Sequence, residues 1–192
     1  MFDQEKELYL EALKKKDKSK KGHVDKEIKP LIDVINKKNN FYTTSSCSGR
    51  IMLIRNFTTK KNEAEWLYVT HSKAKLSDVK KGLKDYSGNV WFKSEPVILH
   101  ICARDLESAQ QIVDIARYAG IKKSGIMASR KRILVELVGT DLMAAPVSID
   151  GKLAVDDDYL EVLVKEANKK LERNANKIKA FMISFRKIKE KK

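Results

Sequence analysis

The stretch Val90-Trp91-Phe92-Lys93-Ser94-Glu95-Pro96-Val97-Ile98-Leu99-His100-Ile101-Cys102 decides the fold class. Its two runs of β-branched, aromatic and aliphatic residues, 90–93 and 97–102, read as strands. Only Ser94-Glu95-Pro96 separates them, and Pro96, which cannot donate to a ladder, argues for a bulge or a sheet edge. Strands here do not alternate with helices in the βαβ rhythm of a doubly wound sheet. The chain also contains neither a glycine fingerprint for dinucleotides nor a Walker sequence. The expected fold is α+β: a single domain with a mixed, largely antiparallel sheet flanked by helices, and not of Rossmann type.

Outward from this stretch the pattern stays mixed. Downstream, Asp105 is placed to cap a helix whose stripe is Leu106, Ala109, Ile112, Val113, Ala116 and Ala119, ended by Gly120. Residues 125–128 and 133–138 suggest a strand pair around Ser129-Arg130-Lys131, and a long C-terminal helix, about 157–188, repeats Val164, Leu171, Ile178 and Phe185 every seven residues. Upstream, 51–54 and 66–70 read as strands joined by a polar loop through 58–62, followed by a short helix over 76–83 and a turn at 86–89. At the N-terminus, 4–16 form an amphipathic helix with Leu8, Leu10, Ala12 and Leu13 near one side. A second helix runs from Pro30, suited to a first turn, through Leu31, Ile32, Val34 and Ile35 to Asn36.

With 192 residues, of which 42% are hydrophobic, one domain covering 1–192 can bury a real core, with a basic, mobile tail at about 186–192. The apolar runs are too short to span a bilayer and the N-terminus lacks the layout of a secretory signal, so a cytoplasmic protein without membrane association is expected. Cys47 and Cys102 stand apart without C-x-x-C spacing, so neither a disulfide framework nor a metal site is expected. The net charge of +14 makes nucleic acid the default partner, because a basic surface binds polyanions largely through counterion release. Part of that lysine is interleaved with Glu along the last helix, as on a solvated helix face.

One further segment reads as a site. Thr43-Thr44-Ser45-Ser46-Cys47-Ser48-Gly49-Arg50-Ile51 is an uncharged, hydroxyl-rich turn, up to Arg50, in a chain where 34% of residues are charged. Short hydroxyls leave room for a ligand and offer donors and acceptors, Gly49 permits a positive φ or a close backbone approach, and Arg50 adds a planar cationic fork. The plain alternative is a Ser-rich hairpin turn. Ser48-Gly49 and Ser124-Gly125 both read as turns that precede strands.

The same segment resembles the T-T-S-S-C-[SA]-G-R-I signature of the third tRNA wybutosine-synthesis protein family. Asp17-x-Ser19-x-Lys21-Gly22-x-Val24-Asp25 is similar to that family's D-x-S-x-K-G-x-x-D segment. Trp66-Leu67-x-Val69-Thr70-His71, Glu95-Pro96-x-x-Leu99-His100, Gly120-x-x-x-Ser124-Gly125-Ile126 and Ala167-Asn168-x-Lys170-x-Glu172-x-Asn174 follow in the family's order, so the resemblance covers nearly the whole chain. It implies an S-adenosylmethionine-dependent methyltransferase acting on N-4 of the tricyclic guanosine derivative beside the anticodon of phenylalanine tRNA. One departure stands out: the family's His-x-x-Cys-Arg is here His100-Ile101-Cys102-Ala103-Arg104, and a one-residue shift on a strand turns a side chain to the other face.

Methyl transfer from a sulfonium is an in-line displacement, so the protein has to align donor and acceptor and accept one proton from the ring nitrogen. No covalent nucleophile is needed, which leaves Cys47 as a lining residue. Asp25 and His100, each within a matched motif, are the candidate bases, with Asp25 slightly favoured; as plain alternatives, Asp25 caps a helix and His100 is a hydrogen-bonded strand residue. His71, at a strand end, reads as structural. Ser45, Ser46, Ser48, Gly49, Ser124 and Gly125 are the candidate donor pocket. Lys18, Ser19, Lys20, Lys21 and Arg50 are the candidate contacts to anticodon-loop phosphates, with Trp66 or Trp91 as a stacking face. Two other readings remain open on the residues alone: a non-catalytic basic RNA-binding module, and a Cys-dependent hydrolase, for which no nucleophile elbow is present.

Overall fold

The chain runs α1 (Phe2–Lys14), α2 (Lys29–Asn36), β1 (Phe41–Cys47), β2 (Arg50–Arg55), β3 (Glu65–Thr70), α3 (Leu76–Gly82), β4 (Val90–Glu95), β5 (Ile98–Ala103), α4 (Leu106–Tyr118), β6 (Lys123–Ala128), β7 (Ile133–Val138), β8 (Met143–Ile149), β9 (Lys152–Leu153) and α5 (Asp157–Arg186). This computed structural model describes residues 1–14, 24–56, 64–84 and 86–189. Lys18, Ser19, Lys20, Lys21, the loop expected at 58–62 and the last three residues of the expected tail lie outside them. Every strand pair among the described residues is antiparallel. The class is α+β and not Rossmann; where one mixed sheet is expected, the strands form two, ordered β1-β5-β7-β6 and β3-β2-β4-β8-β9. The chain divides into two units, Met1–Ser48 with Val97–Thr140 and Asn174–Lys192, and Gly49–Pro96 with Asp141–Arg173. The link Pro96-Val97 that decided the fold class is thus also a boundary between units.

The first unit holds the four-stranded sheet. One sheet face, with Phe41, Leu99, Ile101, Val135 and Leu137, is buried against Leu31, Ile32 and Ile35 of α2, Ile112, Val113 and Ala116 of α4, and Ile178, Phe181 and Phe185 of α5. These helices form where the pattern puts them. Asp105 caps α4 by accepting the Ser108 N–H at 2.7 Å, and Gly120, at φ 89°, supplies the left-handed residue that ends it. Ile178 and Phe185 of the seven-residue repeat are core: the Phe185 ring meets Phe41 edge to face at 5.1 Å.

The opposite face is covered in part by α1, and here the expected stripe is corrected. Leu8 and Leu13 are exposed, whereas Phe2 and Tyr9 pack on Tyr42 at 5.1 and 5.3 Å between ring centroids. Aromatic stacking on one buried tyrosine outweighs the leucine pattern. Two expected turns are also corrected. Residues 41–47 are a strand, leaving only Ser48 and Gly49 to turn, and Ser124-Gly125 lies inside β6.

In the second unit, Leu53, Val79, Phe92 and Val147 pack with Leu160, Leu163 and Val164 of α5. Strand β8 is not evident in the sequence because Ala144-Ala145-Pro146 has neither alternation nor strand formers; Pro146 is accommodated beside a register shift opposite Val90 and Trp91. The asparagines of the 167–174 motif are structural clamps, each within its own unit. Asn168 accepts from Ala74 N–H at 2.8 Å and donates to Ala74 O at 3.0 Å, while buried Asn174 accepts from Val97 N–H at 2.9 Å and donates to Ser48 O. Among the described residues no helix is long and apolar enough to cross a membrane.

Candidate functional site

Strand β1 leaves its expected register at one place, and that irregularity builds the site. Tyr42 faces Cys102 and Thr43 faces Ile101, yet it is Ser45, not Thr44, that faces His100. A β-bulge inserts one residue and so exchanges the side chains offered to each face. Ser45 comes to the face that carries His100, and its Oγ lies 2.7 Å from His100 Nδ1. On the other side of the ring, His100 Nε2 is 2.9 Å from Glu136 Oε1, on the residue that pairs with His100 across β5 and β7. Glu136 in turn pairs with Gly125 on β6. A Cβ placed on Gly125 would meet nothing within 4 Å, so the sheet is open beside Glu136. The Ser45 hydroxyl is exposed and the imidazole is 29% exposed, so this row faces solvent rather than core.

A second polar group lies at the end of β1. Asp25 is buried, and its Oδ2 accepts the Ser48 N–H at 2.9 Å and the Ser48 hydroxyl at 3.2 Å. The Asn174 amide donates to the Ser48 carbonyl, so Ser48 is held on both sides of its peptide. Asp25 also accepts the N–H groups of Ile28 and Lys29 through its backbone carbonyl, which starts the turn leading into α2. The two candidate bases therefore sit in different environments. Asp25 organises backbone in a buried position, whereas His100 connects an exposed hydroxyl to a carboxylate.

The remaining candidates separate in the same way. Ser124 is buried and its Oγ donates to Ile121 O at 2.7 Å, so that hydroxyl is turned away from the open face. Ser46 and Cys47 are half-buried at the end of β1. Cys102, the residue that departs from the family spacing, is buried next to Tyr42, and burial pushes its thiol above the usual range, opposed by the hydrogen bond to Tyr42 and by Arg132. A buried thiol held in its neutral form in this way is a packing residue rather than a nucleophile. Glu136 belongs to none of the motifs that point to the site; its one sequence signal is to be the only charged residue in Ile133-Leu134-Val135-Glu136-Leu137-Val138.

Gly49 and Arg50 belong to the second unit. Gly49, at φ 97°, supplies the turn that any side chain would strain. Arg50 bonds Glu95 through Nη2 at 2.7 Å and Nε at 2.8 Å, and its guanidinium lies 4.7 Å from the Trp66 ring centroid. Lys93 joins Glu95 Oε1 at 2.9 Å. Burial pushes the Glu95 carboxyl up, but the hydrogen bond from Lys93 and the charge of Arg50 outweigh it and hold the group below its usual value. The stabilisation from a lowered carboxyl is fully present above the unfolded value, roughly 4.3, and is lost as pH falls through the folded one. Glu95→Gln is expected to cost about 1–3 kcal/mol in urea unfolding at neutral pH, because both cationic partners lose the carboxylate charge and one of them meets an amide NH2 in place of an acceptor oxygen. The difference from wild type should shrink in acid; a difference that persists there would mean that packing, not charge, is responsible.

The chain matches the family described as Methyltransferase TYW3 over residues 4–187. It is 37% identical to the tRNA(Phe) 7-((3-amino-3-carboxypropyl)-4-demethylwyosine(37)-N(4))-methyltransferase 1 of Thermococcus kodakarensis, over 98% of this chain and 96% of that protein. It is 39% identical to the tRNA wybutosine-synthesizing protein 3 homolog of Xenopus laevis, over 89% of this chain and 70% of that protein. Among solved structures, the PH1069 protein from Pyrococcus horikoshii superposes with a TM-score of 0.89 at 34% identity, covering 96% of this chain and 95% of that one.

Proposed function

The chain belongs to the TYW3 methyltransferase family, and we propose on that premise that its substrate is the one named for its T. kodakarensis relative: N-4 of the tricyclic demethylwyosine base at position 37 of phenylalanine tRNA. The protein is a tRNA methyltransferase. When bound, S-adenosylmethionine supplies an electrophilic methyl carbon on a sulfonium. The chain's own task is to hold the acceptor nitrogen in line, keep water out, and take the proton that nitrogen must lose.

The observation that carries this reading is the exposed Ser45 hydroxyl backed by His100 and Glu136, a proton acceptor built on rigid strands. Of the candidate donor set, Ser45 offers an exposed hydroxyl on the open face, and Gly125 leaves that same face clear three strands away, beside Glu136. Ser48 and Ser124 are buried, with their hydroxyls committed to Asp25 and Ile121 and their carbonyls to Asn174 and Arg117, so they would shape the pocket rather than bond the donor. The net charge of +14 suits a tRNA substrate. Calorimetry with S-adenosylmethionine, followed by transfer of a labelled methyl group to phenylalanine tRNA carrying the demethylated base, tests the reading. Saturable donor binding and one methyl per tRNA are expected. RNA binding with no donor binding would instead identify a non-catalytic RNA-binding module.

A further inference from the structure

Both nitrogens of His100 are engaged within the protein: Nδ1 by Ser45 at 2.7 Å and Nε2 by Glu136 at 2.9 Å. A histidine so placed offers no lone pair directly to a substrate. If it is to act as a base, the proton has to arrive through one of its two partners. Glu136 is a carboxylate acceptor on the far side of the ring, and Ser45 is exposed, so the entry point is the Ser45 hydroxyl. We propose, resting on the methyl-transfer reading above, that Ser45, His100 and Glu136 form a proton relay in which Ser45 touches the acceptor nitrogen and Glu136 is a positioning residue that fixes the histidine tautomer.

The chemistry follows from the donor and acceptor inventory. An ionised carboxylate only accepts, so Glu136 selects the tautomer with hydrogen on Nε2 and leaves the Nδ1 lone pair aimed at the Ser45 O–H. As the acceptor nitrogen's lone pair forms the new N–C bond, the C–S bond breaks and its electron pair stays on sulfur. The displaced N–H proton passes to Ser45 Oγ while the Ser45 hydroxyl proton passes to Nδ1, so serine is neutral before and after. His100 becomes imidazolium, stabilised by Glu136, and returns the proton to solvent after product leaves. The arrangement has the logic of a nucleophile-activating triad, but here the hydroxyl conducts a proton and forms no covalent bond.

Several other titratable groups of this face are bonded to one another. Tyr42 donates to Glu5 of α1 at 2.8 Å and contacts the Cys102 thiol, and Arg132 donates to the Tyr9 hydroxyl at 2.8 Å. The relay leads outward at the exposed Ser45 hydroxyl. It exists only because of the bulge in β1: in the unshifted register Thr44 would face His100.

The test combines a structural and a kinetic readout. In ligand-free protein, nitrogen NMR of His100 should show the Nε2–H tautomer in wild type and a shift toward Nδ1–H in Glu136→Gln, whose amide can donate to Nε2. Glu136→Gln should lower the single-turnover methylation rate by about 10- to 10²-fold with little change in donor affinity, and should change the acid limb of the pH–rate profile. Ser45→Ala should lower the rate by at least as much, and Ser45→Thr, which keeps a hydroxyl, should recover part of it. An Nδ1–H tautomer in wild type, or wild-type rates in both Glu136→Gln and Ser45→Ala, overturns the relay. A wild-type protein that transfers no methyl group sinks the underlying functional reading instead, and the tautomer measurement stands apart from that outcome.

Discussion

His100→Gln is expected to reduce methyl transfer at saturating donor and tRNA by about 10² to 10⁴, the usual contribution of a positioned general base, while leaving both binding affinities close to wild type. Glutamine is near histidine in volume and can bond either Ser45 or Glu136, so the strand pairing of β5 with β1 and β7 should survive. It cannot, however, take up a proton at neutral pH. Asp25→Asn is the necessary comparison. The Asn carbonyl oxygen has two lone pairs and can still accept the Ser48 N–H and hydroxyl that Asp25 Oδ2 accepts, so the turn at Ser48-Gly49 persists at a cost of about 1 kcal/mol and the rate stays within about tenfold of wild type. The reverse pattern, a large rate loss in Asp25→Asn with His100→Gln unaffected, would make the buried carboxylate the base. Circular dichroism and donor calorimetry on both variants exclude misfolding as the cause.

How far the sequence discloses this arrangement depends on the residue. Helix α4 is legible because capping by Asp105, the glycine at 120 and a helical apolar stripe all agree, and α5 because Val164, Leu171, Ile178 and Phe185 recur every seven residues. Strand β8 is not, because small residues and Pro146 carry no strand signal and its place is set by pairing with β4. The position of helix α1 is legible but its buried side is not, since Tyr42 is more than thirty residues away in sequence and only tertiary contact shows that it stacks on Phe2 and Tyr9.

The candidate site divides along the same line. His100 and Ser45 carry chemistry by residue type, which is why the sequence alone marks both as candidates. Their adjacency could not be read, because alternation on an undistorted strand would pair Thr44 with His100. Register irregularities are local backbone events with weak sequence signals, and a single one moves every later side chain to the opposite face. Glu136 was legible in principle as a charge inside an apolar run, but its partner became visible only with the β5–β7 register. Ser124 shows the converse: a residue in a matched motif whose hydroxyl is spent on the backbone carbonyl of Ile121.

Binding to tRNA should weaken steeply with salt, and most of that dependence is expected to come from one segment. Six lysines lie between residues 14 and 21. If they neutralise about six phosphates of the single-stranded anticodon loop, the log–log slope is roughly −4, at about −0.7 per phosphate, and affinity falls on the order of 300-fold between about 50 and 200 mM salt. Replacing Lys18, Lys20 and Lys21 together by Ala should bring the slope to roughly −2 and the loss over the same range to about 20-fold. Donor binding should not change, because the proposed donor set contains none of these residues. Arg50 is expected to contribute little to the slope, since its guanidinium already bonds Glu95 and lies over Trp66; releasing an internal ion pair to reach a phosphate offsets what the phosphate contact contributes. The measurement is a filter-binding or anisotropy titration across salt with wild type, the triple variant and Arg50→Gln. A triple variant whose slope equals that of wild type would move the electrostatic surface away from this segment, and an Arg50→Gln slope shallower by a full phosphate would show that Arg50 leaves Glu95 to bind RNA.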